Sequence, residues 1–419
     1  MNSKITKLKN NLRIITSTRP EAETVSVGVW LKTGSAYEKK EANGISHFLE
    51  HMVFQGTKNR TALEISEAIE NKGGSMNAYT AREFTSFYAK MLKDDLELAV
   101  DVLSDLITKA TFPKKNLNKE KEVVIQEIKQ AVDTPDDIIF DYMQEKAFPN
   151  QSIGRSILGP IENVKSFDKK SLDSYISTNY AGENMVICAV GNFDEKKFIK
   201  MVEKRLSGIQ PKVKFKPEKQ KYIGGFYAEK RPIKQAHIAL SFEGVNYHDN
   251  KYYPSTLLSS ILGGGMSSRL FQEIRDKRGL AYTVYSFNNI HTQSGMLGIY
   301  AGTGKGQVKD LMPVIYQEIN KIRNEKVTPQ ELERAKTQLK AGMLMSFESS
   351  SSTAEIFARQ TLIYDRVLPI KEMVELIESV TFDDIQDIAQ LVFSSNPNYI
   401  IMGAIDSHPS YDKVIKGLK

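Results

Sequence analysis

Between residues 24 and 31 the chain reads Thr-Val-Ser-Val-Gly-Val-Trp-Leu, with apolar residues at every second position, and residues 86–91 repeat that alternation. Successive side chains point to opposite faces of an extended chain, so a period of two predicts β-strands in both places. Residues 96–107 and 119–132 carry their apolar positions at helical spacing instead. Strand and helix signals are mixed along the chain and do not strictly alternate, which favours an α+β fold over a doubly wound parallel sheet.

The apolar period disappears from Gly208 to Pro232, where Pro211-Lys-Val-Lys-Phe-Lys-Pro-Glu-Lys-Gln-Lys221 is followed by Gly224-Gly225. Lysine, proline and glycine without a buried face read as a linker. The half of the chain beyond this segment resembles a second copy of the half before it. The helix at 96–107, then Phe112-Pro113 and a charged helix through Lys129, is echoed by 308–322, then Thr328-Pro329 and a charged helix through Met343. The strand at 25–31 is echoed by 237–242. With 419 residues the chain exceeds what one core usually serves. The expected organisation is therefore a first domain at 1–210, a linker at 211–232 and a homologous second domain at 233–419.

Composition narrows the chemistry. Lys+Arg 57 against Asp+Glu 51 leaves a net charge of +6 dispersed along the chain, which does not suggest nucleic-acid binding. No run of apolar residues approaches the roughly 18 needed to span a membrane. The single cysteine, in Met185-Val-Ile-Cys-Ala-Val190, reads as a buried strand residue, and a disulfide framework is excluded. The start, Met1-Asn-Ser-Lys-Ile-Thr-Lys-Leu-Lys-Asn10, has positive charge but no apolar stretch behind it, so a mature, cytoplasmic chain is expected. The serine run 349–352 reads as a helix start, and Gly302-Thr-Gly-Lys-Gly306 as a turn, since it lacks the spacing of a phosphate loop.

Two of only six histidines stand in Ile45-Ser-His47-Phe-Leu-Glu50-His51-Met-Val-Phe54. On a helix His47 and His51 are one turn apart on one face, with Glu50 beside them. Two imidazoles so spaced can share a zinc ion, and Glu50 is placed to take a proton from a water whose pKa the metal lowers. This H-x-x-E-H order is the inverse of the zincin motif. A catalytic zinc needs a third protein ligand, which spacing cannot choose among so many glutamates. Glu120 and Glu127, seven apart, share one face of the charged helix, but on local sequence a solvated charged face is the preferred reading.

The chain resembles the pitrilysin/insulysin inverzincin metallopeptidases over nearly its whole length, and most closely the shorter members typified by the mitochondrial processing peptidase β-subunit and its bacterial relatives. The resemblance implies two homologous α+β domains, each a mostly antiparallel sheet packed with helices, and one zinc ion per chain. It implies Glu127, with 75 residues between it and His51, as third ligand, and Glu120 as the residue that orients a ligand or water. In Gly73-Gly-Ser-Met-Asn77-Ala78-Tyr-Thr80 it implies substrate-binding roles for Asn77 and Ala78. In the segment from Gly263 to Ser286 it implies that Arg275 and Tyr282 act on substrate and oxyanion. Asp137 and Asp141 match acidic positions that read a basic residue near the cut.

The expected activity is thus zinc-dependent cleavage of short or unfolded, basic peptides by a homodimer enclosing a chamber, with a heterodimer as the alternative. No nucleic acid or membrane partner is expected. A structural or assembly subunit of the same fold is the competing reading. The duplication adds one expectation: aligning Pro113 with Pro329 sets Lys336 opposite Glu120 and Met343 opposite Glu127, and the counterpart of the histidine helix, at 255–262, contains no histidine.

Overall fold

The alternating segments are antiparallel neighbours, Thr24–Leu31 and Thr85–Leu92, in a sheet of the computed structural model, which describes residues 3–215 and 218–418. Lys216 and Pro217 of the expected linker lie outside the described residues, as do Met1, Asn2 and Lys419. Six strands form this sheet: β1 (Lys4–Lys7), β2 (Arg13–Thr18), β3 (Thr24–Leu31), β4 (Ser75–Thr80), β5 (Thr85–Leu92) and β6 (Met185–Gly191), in the order β1-β2-β6-β3-β5-β4. Only β2 and β6 run parallel. A second sheet of five strands contains β7 (Gly225–Lys230), β8 (Gln235–Glu243), β9 (Ala281–Ile290), β10 (Gly295–Gly304) and β11 (Asn398–Gly403), in the order β7-β11-β8-β10-β9. Again one pair, β7 with β11, is parallel.

The two orders superpose strand for strand once β1 is set aside, each with its parallel pair at the same place. The duplication read from helix and proline positions is therefore a duplication of sheet topology. The fold is α+β. Within the segment expected as linker, Gly225–Lys230 is a strand because its residues alternate between partly buried and exposed, which suits an edge next to β11.

The chain divides into two compact units, each drawn from both sequence halves. The first comprises Met1–Lys129, Arg155–Glu218 and Leu344–Ile370; the second comprises Gln130–Gly154, Lys219–Met343 and Lys371–Lys419. Burial explains the segments that leave their own half. On β3, Val25, Val27, Val29 and Leu31 enter the core with Val100 and Leu103 of the helix Leu96–Lys109, while Ser26 and Trp30 occupy the opposite face. That face is covered by the helix Ser350–Tyr364, where Ser351 Oγ lies 2.9 Å from Ser26 Oγ. The serine run does start this helix, Ser349 Oγ accepting from the Ser352 N–H. In the second unit the helix Pro135–Ala147 lies against β7, β8 and β11, and Asn398 donates to the Met143 carbonyl at 2.8 Å.

Cys188 lies fully buried in β6, where burial pushes its thiol up and keeps it protonated. Of the turn expected at 302–306, Gly302–Gly304 are the end of β10 and the turn begins only at Lys305, with Gly306 at φ 82°. Among the described residues no helix is long and apolar enough to cross a membrane.

Candidate metal centre

The motif His47-Phe-Leu-Glu50-His51 lies on the helix Ile45–Val53, the histidine helix. Ile45, Phe48, Leu49, Met52 and Val53 are buried in the first core, so the one remaining stripe is the one carrying His47, Glu50 and His51. The helix begins at Gly44, whose φ of 98° and close approach to the Leu158 carbonyl leave no room for a Cβ.

Without a capping side chain of its own, this helix start is closed by Glu38. One carboxylate oxygen accepts from the Gly44 N–H at 2.8 Å and from Asn43 Nδ2 at 2.9 Å; the other accepts from the Ser46 N–H at 2.8 Å. Glu38 is buried, which raises its carboxyl above the usual range, and bonds from Ser46, Asn43 and Gly44 offset part of that rise. An anion at a helix N-terminus suits the helix dipole, so Glu38 holds the histidines' scaffold in place. Sequence reasoning missed this residue. The available signal was Gly44 itself, a helix-start residue with no side chain to cap the free N–H groups.

His47 and His51 face each other with ring centroids 4.8 Å apart. Glu127 comes from the helix Lys114–Asp133, on the same face as Leu117, Glu120 and Val124, which are buried. Its Oε2 lies 3.6 Å from His47 Nε2 and 3.5 Å from His51 Nε2. Zinc–nitrogen and zinc–oxygen bonds of about 2.0–2.2 Å at tetrahedral angles separate ligand atoms by about 3.4 Å. The three residues fit such an ion, and among the described residues they are the one group of three or more His, Cys, Asp or Glu with that property.

The remaining groups suit the same use. Burial, then the neighbouring His51, lowers His47 to about 4, so at neutral pH its imidazole is uncharged and can ligate. His51 Nδ1 lies 3.3 Å from Glu120 Oε2; a proton shared there leaves Nε2 with its lone pair toward Glu127. Glu120 is almost wholly buried, so it is a partner of His51 and not part of a solvated face. Burial raises the Glu50 carboxyl above its usual range, opposed by a hydrogen bond from Thr80 and by His51 and reinforced by Glu127. One Glu50 oxygen, Oε2, is buried with no hydrogen-bond partner among the described residues.

Asn77 and Ala78 lie on β4, the edge strand, whose one sheet neighbour among the described residues is β5. Arg275, Tyr282, Asp137 and Asp141 belong to the second unit. Arg275 sits in a π-helical turn, Phe271–Asp276, with its guanidinium 4.7 Å from the centre of the Tyr282 ring, and Tyr282 is 76% exposed. The two aspartates are one turn apart on the helix Pro135–Ala147; burial first, then Asp141 and Asp136, raises the Asp137 carboxyl. In this unit the helix Tyr252–Gly263 carries no histidine, and Lys336 donates to the Glu378 carbonyl at 2.8 Å.

Comparison with known proteins places the chain in a family. The family described as insulinase (peptidase family M16) matches residues 13–161, and the peptidase M16 inactive domain matches residues 166–339. A Bacillus subtilis (strain 168) protein named uncharacterized zinc protease YmxG is 36% identical over 96% of this chain and 98% of its own length. The Bos taurus mitochondrial-processing peptidase subunit beta is 32% identical over 100% of this chain and 87% of its own. A crystal structure of a protease from Helicobacter pylori shares the fold with a TM-score of 0.91 at 21% identity, covering 96% of this chain and 99% of that one.

Proposed function

The chain belongs to the M16 peptidase family and is a zinc metallopeptidase, and we propose that His47, His51 and Glu127 hold its metal, one ion per chain, with Glu50 as general base and acid. The observation that carries this reading is the pair of 3.5 and 3.6 Å approaches of one Glu127 oxygen to the two imidazoles. Zinc held there supplies a Lewis acid that polarises the scissile carbonyl and lowers the pKa of water toward about 7. Glu50, with its carboxyl raised by burial, takes a proton from the attacking water and returns it to the departing amine. Thr80, which bonds to Glu50, keeps that carboxylate in place; Glu120 does the same for His51.

Substrate binds as an added strand on β4, at Asn77 and Ala78, so the site tolerates many sequences and favours extended or unfolded peptides. In this reading residues 1–210 carry the metal and 233–419, beyond the 211–232 linker, carry Arg275 and Tyr282, which donate to the developing oxyanion. The exposure of Tyr282 under the Arg275 guanidinium supports that role. The two act across a closed homodimer. Mixing Glu50→Gln chains with Arg275→Ala chains should then regenerate activity in the mixed dimer; mixed dimers without activity would place the pair in the same chain as the metal it serves.

Loss of peptide cleavage on chelation, with recovery on adding zinc, tests the enzyme itself; cleavage that survives full metal removal would overturn it. Asp137 and Asp141 select a basic side chain through charge-assisted hydrogen bonds. Asp137→Asn is expected to raise KM for arginine peptides about 10-fold and leave neutral peptides unchanged, the size of one lost charge-assisted bond. Because the Asp137 carboxyl sits above its usual range, arginine selectivity should fade on acidification at a higher pH than for an ordinary aspartate. A pH series of KM for matched arginine and alanine peptides reads this directly.

A further inference from the structure

Glu355, on the helix Ser350–Tyr364, holds two residues of the first sheet with one carboxylate. Its Oε1 accepts from the Tyr79 hydroxyl and its Oε2 from the Trp30 indole N–H, each at 2.5 Å. Trp30 is buried on β3, in the body of the sheet, whereas Tyr79 lies on β4 between Ala78 and Thr80. Alternation places Met76, Ala78 and Thr80 on one face of β4 and Asn77 and Tyr79 on the other. Met76 and Ala78 pack against the core, and Thr80 bonds to Glu50.

The Tyr79 face lacks comparable packing. A cavity of about 420 Å³, lined by Ser26, Trp30, Tyr79, Tyr88, Ser351 and Glu355, lies between sheet and helix. On that face of an edge strand the Tyr79 hydroxyl is held by Glu355, whose Oε1 also lies 4.0 Å from Arg359, with Ser86 as a further partner of the phenol. Burial first, and the Glu355 charge second, push the Tyr79 phenol up, so it remains a donor at neutral pH.

We infer that Glu355 is a positioning residue for peptide hydrolysis, which through Tyr79 fixes the height and tilt of β4 so that its free edge matches an extended substrate backbone. The inference rests on the reading of β4 as the substrate strand. Hydrogen bonds along an added strand are made alike in the bound peptide and in the transition state, so their loss appears in KM more than in kcat. The single tryptophan of the chain is Trp30, and its fluorescence therefore reports on the Glu355 carboxylate.

The test uses the full zinc-loaded chain, Glu355→Gln, Tyr79→Phe and the double variant, with a peptide of about eight residues, enough to span a strand, and the same peptide N-methylated on alternate backbone amides. Expected is a rise in KM of about 10-fold in each single variant, the size of one lost charge-assisted hydrogen bond, and no further rise in the double variant. Zinc content and kcat should stay within about two-fold of wild type, and the N-methylated peptide, already weakened, should not respond to either change. In a Glu50→Gln background, peptide binding should shift Trp30 fluorescence, and Tyr79→Phe should remove the shift. An unchanged KM in Glu355→Gln, with N-methylation still raising KM in wild type, overturns the role of Glu355 and leaves the substrate strand standing. No effect of N-methylation overturns the substrate strand and the inference with it. Equal losses on both peptides, or loss of zinc, make Glu355 merely structural; if Glu355→Gln does not fold, Tyr79→Phe, which removes one oxygen, decides alone.

Discussion

Glu50→Gln is expected to lower kcat for peptide cleavage by about 10³-fold, within the range that general acid–base catalysis contributes, while the chain keeps its zinc and its fold. The substitution is nearly isosteric and removes only the capacity to accept and return a proton. Glu50 is no ligand in this geometry: the group that fits a metal is His47, His51 and Glu127. Nor does it brace the helix, which is capped by Glu38 and anchored by Phe48, Leu49 and Met52. Metal content by atomic absorption and kcat on a single peptide separate the two properties. A variant that retains zinc and more than about one tenth of wild-type kcat would remove Glu50 from the mechanism.

Glu127→Ala should abolish zinc retention in the presence of a competing chelator, and Glu120→Gln should weaken it by about 10–100-fold, the usual scale for a residue that orients a metal-binding histidine. The physical distinction is one of distance. Glu127 approaches both imidazoles at 3.5 and 3.6 Å, close enough for one ion to touch all three residues. Glu120 reaches only His51 Nδ1, the nitrogen turned away from the metal position, at 3.3 Å. Glutamine at 120 can still accept from that nitrogen but carries no charge, so the histidine becomes a poorer ligand without being displaced. Zinc competition titrations should rank wild type, Glu120→Gln and Glu127→Ala in that order. Equal affinity for Glu120→Gln and wild type would limit Glu120 to packing.

Much of this centre was legible because helical geometry is local. His47, Glu50 and His51 needed only a helix to share a face, and the buried stripe of Ile45, Phe48, Leu49 and Met52 around them provides it. Glu120 and Glu127 were visible as a pair on one face, but nothing local distinguished a ligand from a solvated charge; resemblance to a family supplied that choice. Glu38 was not legible, because Ser35-Ala-Tyr-Glu38 has the spacing of a capping box but no apolar run directly behind it, and its carboxylate serves a helix that begins several residues later.

The sequence by itself determined the period-two strands, the amphipathic helices, the repeated order of elements and the one-turn spacing of the two histidines. Each of these depends on backbone geometry over a few residues, which hydrophobic and polar positions record directly. Only the tertiary structure decided which glutamate reaches the imidazoles and which carboxylate closes the histidine helix. It alone also decided that Ser350–Tyr364, from the far half of the chain, covers the sheet carrying β4. Those outcomes depend on burying the second face of each sheet, and any apolar helix of suitable length could have met that requirement locally. The path of the whole chain selects one, and with it brings Glu355 onto Trp30 and Tyr79.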